Sequence, residues 1–190
     1  MSIKMYYEGL GSQRLFFRKL TYKDINSWME FYKDNPNLKY LGIDLNRDCD
    51  EMAKAWIDTQ IERYEKNTFG QLGIIFKETK ELVGTGGFKI SEYCQEGTVE
   101  IAVAIKPTHW RKGIGKEANI TLINAVFKNS LAHTIIGRRH IDNYPSQKFN
   151  YDFAFEDISI LKDNKRLVVK FQLTKARWEE NNDFYNHSPF

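Results

Sequence analysis

Residues 99–128 read VEIAVAIKPTHWRKGIGKEANITLINAVFK, and this stretch decides the fold. Val99, Ile101, Val103 and Ile105 alternate with Glu100, Ala102 and Ala104. That is the period of a strand, with one branched apolar face and one face of small residues interrupted by a single carboxylate. Pro107 stops the strand. Arg111, Lys112, Gly113, Ile114, Gly115 and Lys116 then form a basic, glycine-bearing turn, and residues 117–128 lack Gly and Pro, as suits a helix. A turn of this kind binds anions. Glycines let backbone N–H groups come close to a phosphate, the unpaired amides of the first helical turn point at it, and the helix dipole adds positive potential.

Two nucleotide motifs are set aside. The dinucleotide fingerprint G-x-G-x-x-G has Ala118 at its third glycine, which some variants allow, but no acidic residue closes a second strand ~20 residues on. The P-loop pattern GxxxxGK[ST] is absent. Trp110-Arg111-Lys112-Gly113-Ile114-Gly115 instead resembles motif A, R/Q-x-x-G-x-G/A, of the GNAT acetyltransferase superfamily. Trp110 stands where Gln or Arg is usual, and with Glu117-Ala118 after the turn the segment is similar to the RimJ/RimL-like branch, which acetylates ribosomal-protein N-termini among other amines. The resemblance implies that Arg111, Lys112, Gly113, Ile114, Gly115 and Lys116 hold the pyrophosphate of acetyl-CoA, the co-substrate. It also implies that the main chain of Val103, Ala104 and Ile105 pairs with the pantetheine arm.

The 190 residues are 42% hydrophobic, enough for one substantial core, so residues 1–190 are read as a single domain. Lys and Arg number 28 against 25 Asp and Glu, a net charge of +3 without a basic block, and no dedicated nucleic-acid binding is expected. Cys49 and Cys94 offer at most one disulfide in a chain that does not need it. The N-terminal residues lack an apolar signal core, and no apolar run approaches the ~20 residues that span a bilayer. A soluble, cytoplasmic protein without membrane partners is expected.

Leu15, Phe16, Phe17 and Leu20 suit a first strand after a loose N-terminus. Thr21 with Asp24 approximates a capping box, and Ile25, Trp28, Met29 and Tyr32 repeat at helical spacing until Asn35-Pro36. Residues 37–47 read as a loop with a short helical turn, and residues 50–66, with Ala53, Ile57, Ile61 and Tyr64, as a second helix capped by Asp48 or Asp50. Residues 71–77 and 82–90 form a hairpin in which Gly84, Gly86 and Gly87 admit close packing. Residues 134–141 give a further strand, and Pro145 opens a short helix with Phe149 and Phe153 facing inward. Residues 157–162 and 167–174 alternate around the turn Asp163-Asn164, and the tail from Lys175 is helical, then frayed.

The order β, α, α, β, β, β, α, β, α, β, β is the GNAT order. It predicts an α/β (mixed α+β) fold, a central mixed, largely antiparallel sheet of about seven strands with helices on both faces. A second motif supports it: Asn143-Tyr144-Pro145-Ser146-Gln147-Lys148 resembles the N-x-P-S-Q-K/R of the Rim-like branch, although its usual closing Gly-Phe is Ala154-Phe155 here. If the left-handed exit that glycine permits is kept, Ala154 costs roughly 1 kcal/mol.

The resemblance implies an N-acetyltransferase that moves acetyl from acetyl-CoA directly to a primary amine, either a small molecule or a protein N-terminus. The alternative is a CoA-binding or regulatory module that has lost its chemistry. Glu100 is the candidate general base, set against its reading as the partner of a Lys or Arg. Ser146 is a candidate proton donor to the thiolate or ligand of a cofactor phosphate, and Asn143 a candidate cofactor ligand, each set against helix capping. Tyr151 falls one residue beyond the position, Asn150, at which many superfamily members carry a tyrosine acid. His109, His133, His140 and His187 and the cysteines lack ligand spacing, so no metal is expected. The assembly is a monomer or homodimer.

Overall fold

The computed structural model describes Tyr6, residues 9–163 and residues 166–187. Seven strands form one sheet: β1 (Leu15–Arg18), β2 (Gln71–Phe76), β3 (Leu82–Lys89), β4 (Thr98–Ile105), β5 (Thr134–His140), β6 (Glu156–Asp163) and β7 (Arg166–Thr174). Their order across the sheet is β1-β2-β3-β4-β5-β7-β6. Every neighbouring pair is antiparallel except β4 and β5. The helices are α1 (Ile25–Met29), α2 (Cys49–Glu65), α3 (Ile114–Lys128), α4 (Tyr144–Asp152), α5 (Lys175–Glu180) and α6 (Asn182–His187). This is the expected mixed α/β architecture. Of the predicted turn Asp163-Asn164, Asn164 lies outside the described residues.

Strand alternation assigns the faces. Gly86 pairs with Val103, and a Cβ built on Gly86 would stand 3.2 Å from Leu122 of α3, so α3 covers the face of Val99, Ile101, Val103 and Ile105. Lys106, one step beyond β4 on the opposite face, sends its ammonium to Ser27 Oγ of α1 at 2.8 Å and to Glu30 at 2.9 Å. The face of Glu100, Ala102 and Ala104 therefore looks toward α1. Gly84 lets β3 and β4 approach closely, because a Cβ there would stand 2.5 Å from the Ala104 carbonyl oxygen.

Three elements depart from expectation. The helix predicted to run from Thr21 to Asn35 reaches only Met29, after a 3-10 turn at Tyr22–Asp24. Asp34 adopts φ +50°, and the Asn35 side chain donates to the Phe31 carbonyl while accepting from the Asn37 amide, so polar side-chain bonds replace the helical ladder. The helix after the basic turn begins at Ile114 rather than 117, since Gly113 at φ +75° caps it. The tail holds two short helices, with Thr174 Oγ1 accepting from the Arg177 amide at the first.

The parallel junction of β4 and β5 positions the site. Only Thr98, Val99 and Glu100 pair with Thr134, Ile135 and Ile136; beyond them the strands splay. Lys106 N–H donates to Val83 of the β3 side. By two-residue alternation the main chain of Ala104 also points to β3, and those of Val103 and Ile105 point into the opening.

Candidate active site

Three contiguous chambers occupy the splay. The central one, about 300 Å³, lies between β4 and α4 and is lined by Val103, Ala104, Ile105, Gly115, Asn143 and Ser146, with Phe31, Trp110 and Asn119. The inner one, about 240 Å³, reaches Glu100, Ala102, Arg138, His140 and Asn150. The outer one, about 610 Å³, opens over Arg111, Gly113, Ile114 and Gly115.

At the outer end the chain from Arg111 to Gly115 is a candidate anion cradle. Arg111 is left-handed at φ +60° and so is Gly113, the kind of backbone from which anion-binding concavities are built. No side chain caps α3, so the amides of its first turn have no side-chain partner. A Cβ on Gly115 would meet nothing nearer than Ile105 at 3.7 Å. These features fit a diphosphate lying across the start of α3. Lys112 and Lys116 line none of the chambers; the Lys116 ammonium sits 5.3 Å above the Phe184 ring.

Along β4 the opening offers the main chain of Val103 and Ile105, and the Ile105 carbonyl already accepts from Trp110 Nε1 at 2.7 Å. Ala104 contributes its side chain to the wall, while its main chain serves the β3 ladder. An extended arm bearing amides fits the open edge.

Glu100 is 4% exposed. Arg138 Nε donates to its Oε1 at 3.1 Å and Lys89 Nζ stands at 3.3 Å, while the buried Oε2 has no protein partner. Burial alone lowers the Arg138 pKa, but Glu100 and Asp163 together raise it above its usual value, so the guanidinium stays charged. Glu100 thus has both features weighed from sequence: it is ion-paired, and one oxygen lies free beside a cavity.

Asn143 caps α4, its side chain accepting from the Ser146 amide at 3.3 Å. Ser146 lines the central and inner chambers, and its hydroxyl takes no bond among the described residues. Tyr151 is exposed and donates to Asp157 at 3.1 Å, away from the chambers; Asn150 is buried, with its Nδ2 unpartnered. Among the described residues no cluster of three His, Cys, Asp or Glu side chains is arranged for a metal.

Sequence reasoning missed Arg138 and Lys89, whose approach to Glu100 depends on strand register, and Asn119. A signal for Asn119 existed: it is a polar residue four positions after Gly115, between the apolar Ala118 and Ile120, and it donates to the Gly115 carbonyl at 2.8 Å.

Residues 14–150 match the family described as Acetyltransferase (GNAT) domain. The chain is 28% identical over 177 residues to the uncharacterized N-acetyltransferase p20 of Bacillus licheniformis, covering 90% of this chain and 98% of that one. A GNAT-family acetyltransferase from Bacillus anthracis superposes with a TM-score of 0.68 at 20% identity, covering 88% of this chain and 98% of its own. Mycobacterium smegmatis RimJ, solved in complex with CoA-disulfide, gives 0.70 at 15% identity, with 88% and 89% covered. The left-handed glycine turn, the splayed strands and the family match over most of the chain converge, and the chain belongs to the GNAT acetyltransferase family.

Proposed function

We propose that this protein is an acetyl-CoA-dependent N-acetyltransferase that transfers acetyl directly to a primary amine. The observation that carries the reading is the continuity of the anion cradle at Gly113–Gly115 with the unpaired β4 edge and the chamber containing Glu100 and Ser146. That path suits a co-substrate with a diphosphate at one end, an amide-bearing arm in the middle and a thioester at the far end. Acetyl-CoA supplies the activated acyl group; the chain supplies position and proton movement.

In this reading the amides of residues 111–116 hold the diphosphate, and Val103 and Ile105 hold the arm. The acceptor enters from the α1 side. Its nitrogen forms the new bond to the acetyl carbon, the carbon–sulfur bond breaks, and the electron pair leaves on the sulfur. Glu100 Oε2 takes the amine proton directly or through water, and Ser146 Oγ is placed to give a proton to the departing thiolate, regaining one from solvent. Lys89 and Arg138 hold Glu100 Oε1 and so orient its carboxylate, leaving Oε2 turned to the acceptor. A protein N-terminus or a small amine meets these requirements, and the Rim-like motif at Asn143–Lys148 supports the N-terminus.

The test is acetyl-CoA binding by calorimetry to the wild type and to Gly115→Glu. The helical position accommodates a side chain without backbone strain, and the added carboxylate projects where the diphosphate sits. Binding is expected to fall by about 100-fold or more while the melting curve is kept. A wild type that does not bind, or a variant that binds equally, overturns the reading. Turnover with any amine then separates the enzyme from a module that only binds CoA.

A further inference from the structure

Arg14 immediately precedes β1 and belongs to no motif, yet it ends beneath the anion cradle. Its Nε donates to Glu117 Oε2 at 2.6 Å, and Nη1 donates to the Lys112 carbonyl at 3.0 Å. Nη2 is buried without a protein partner and lies 3.3 Å from where a Cβ on Gly113 would stand. Glu117 is fully buried in the first turn of α3, so a carboxylate sits one guanidinium's width from the loop proposed to receive a diphosphate. Ser12 Oγ at 2.6 Å and the Arg14 amide at 2.8 Å also donate to Glu117 Oε1. These contacts would keep the carboxylate in place if the guanidinium were removed.

We propose that Arg14 is a positioning residue for the diphosphate of acetyl-CoA, cancelling the charge of Glu117 beneath the loop and polarising the Lys112–Gly113 peptide toward the ligand. This rests on the acetyl-CoA reading above. Two physical effects act together. A buried carboxylate near a bound diphosphate repels it with little screening, and the guanidinium removes that repulsion. The Lys112 carbonyl and the Gly113 N–H belong to one planar trans unit and point to opposite sides. A charged donor on the oxygen therefore strengthens donation by the N–H on the ligand side.

The experiment measures acetyl-CoA affinity by calorimetry for the wild type, Arg14→Gln, Glu117→Gln and the double variant, with thermal melts alongside. Arg14→Gln is expected to weaken binding by about tenfold or more. The double variant is expected to return to within about threefold of the wild type, and Glu117→Gln to bind at least as tightly as the wild type. A latch that only holds the fold predicts the reverse: all three variants weaken alike, and that result overturns the proposal. Unchanged binding by Arg14→Gln also overturns it. If Arg14→Gln does not fold, Glu117→Gln alone decides, since equal or tighter binding supports the electrostatic role and weaker binding refutes it. A wild type without affinity for acetyl-CoA overturns the cofactor reading and this proposal with it, whereas a binding wild type with insensitive variants overturns this proposal alone.

Discussion

At Ala154 the chain leaves α4 with φ +56°, the conformation that glycine adopts without penalty and that an L side chain resists. The exit is held because the Ala154 amide donates to Tyr151, and its carbonyl accepts from Arg177 Nε at 2.6 Å. The sequence identified the missing glycine at this place; only the structure shows that the left-handed exit is kept. Ala154→Gly is therefore expected to stabilise the protein by about 1 kcal/mol, visible as a melting temperature higher by roughly 2–4 °C. An unchanged or lower melting temperature would mean that the surroundings have relaxed around alanine. Glu100 shows the opposite limit of legibility. Its alternation with Ala102 and Ala104 marked it as the one carboxylate on a small-residue face, but Lys89 and Arg138 come from neighbouring strands. Nothing local in the sequence sets those registers.

Among the elements, strands and long helices were readable because their periods are strong, and the short connecting pieces were not. The turn into α1 shows why. Asp24 accepts from the Thr21 amide at 2.8 Å, as the capping spacing implied, but it also receives both terminal nitrogens of Arg18, at 2.8 and 2.7 Å. Burial pushes the Asp24 pKa up, and the Arg18 and Thr21 hydrogen bonds outweigh it, leaving the carboxyl below its ordinary value. The sign follows from linkage: a depressed folded pKa contributes stability above the unfolded value of about 4, and that stability is lost as pH falls through the folded pKa. Asp24→Asn is expected to destabilise by about 1–2 kcal/mol at pH 7, since Arg18 is partly exposed and the pair is screened. The difference between the two proteins should shrink in denaturation curves as pH falls below the unfolded value of about 4 and vanish once the carboxyl is protonated in the folded state too. A difference that does not shrink as pH falls would assign the effect to packing instead of charge.

Across the whole molecule, two antiparallel units, β1-β2-β3-β4 and β5-β7-β6, meet through three residue pairs and then diverge. The sequence order carried this architecture, because a strand followed by a helical crossover returns to the sheet parallel to its neighbour. It could not show where pairing stops, which depends on the twist of both units. An extended ligand in the opening would satisfy main-chain groups on β4 that the protein itself leaves open, and would brace the two units. Hydrogen exchange can read this at single residues. The amides of Val103 and Ile105 face the opening and should exchange readily in the free protein, then gain protection with acetyl-CoA. The Ala104 amide, turned to β3, should be protected in both states. Acetyl-CoA at 100 times its dissociation constant should add about 2.7 kcal/mol, a rise of roughly 5–10 °C in melting temperature for a chain of this size. Protection at Ala104 alone, or uniform protection without alternation along β4, would place the ligand elsewhere. Alternating protection with the expected rise would make the ligand the bridge that the β4–β5 junction lacks.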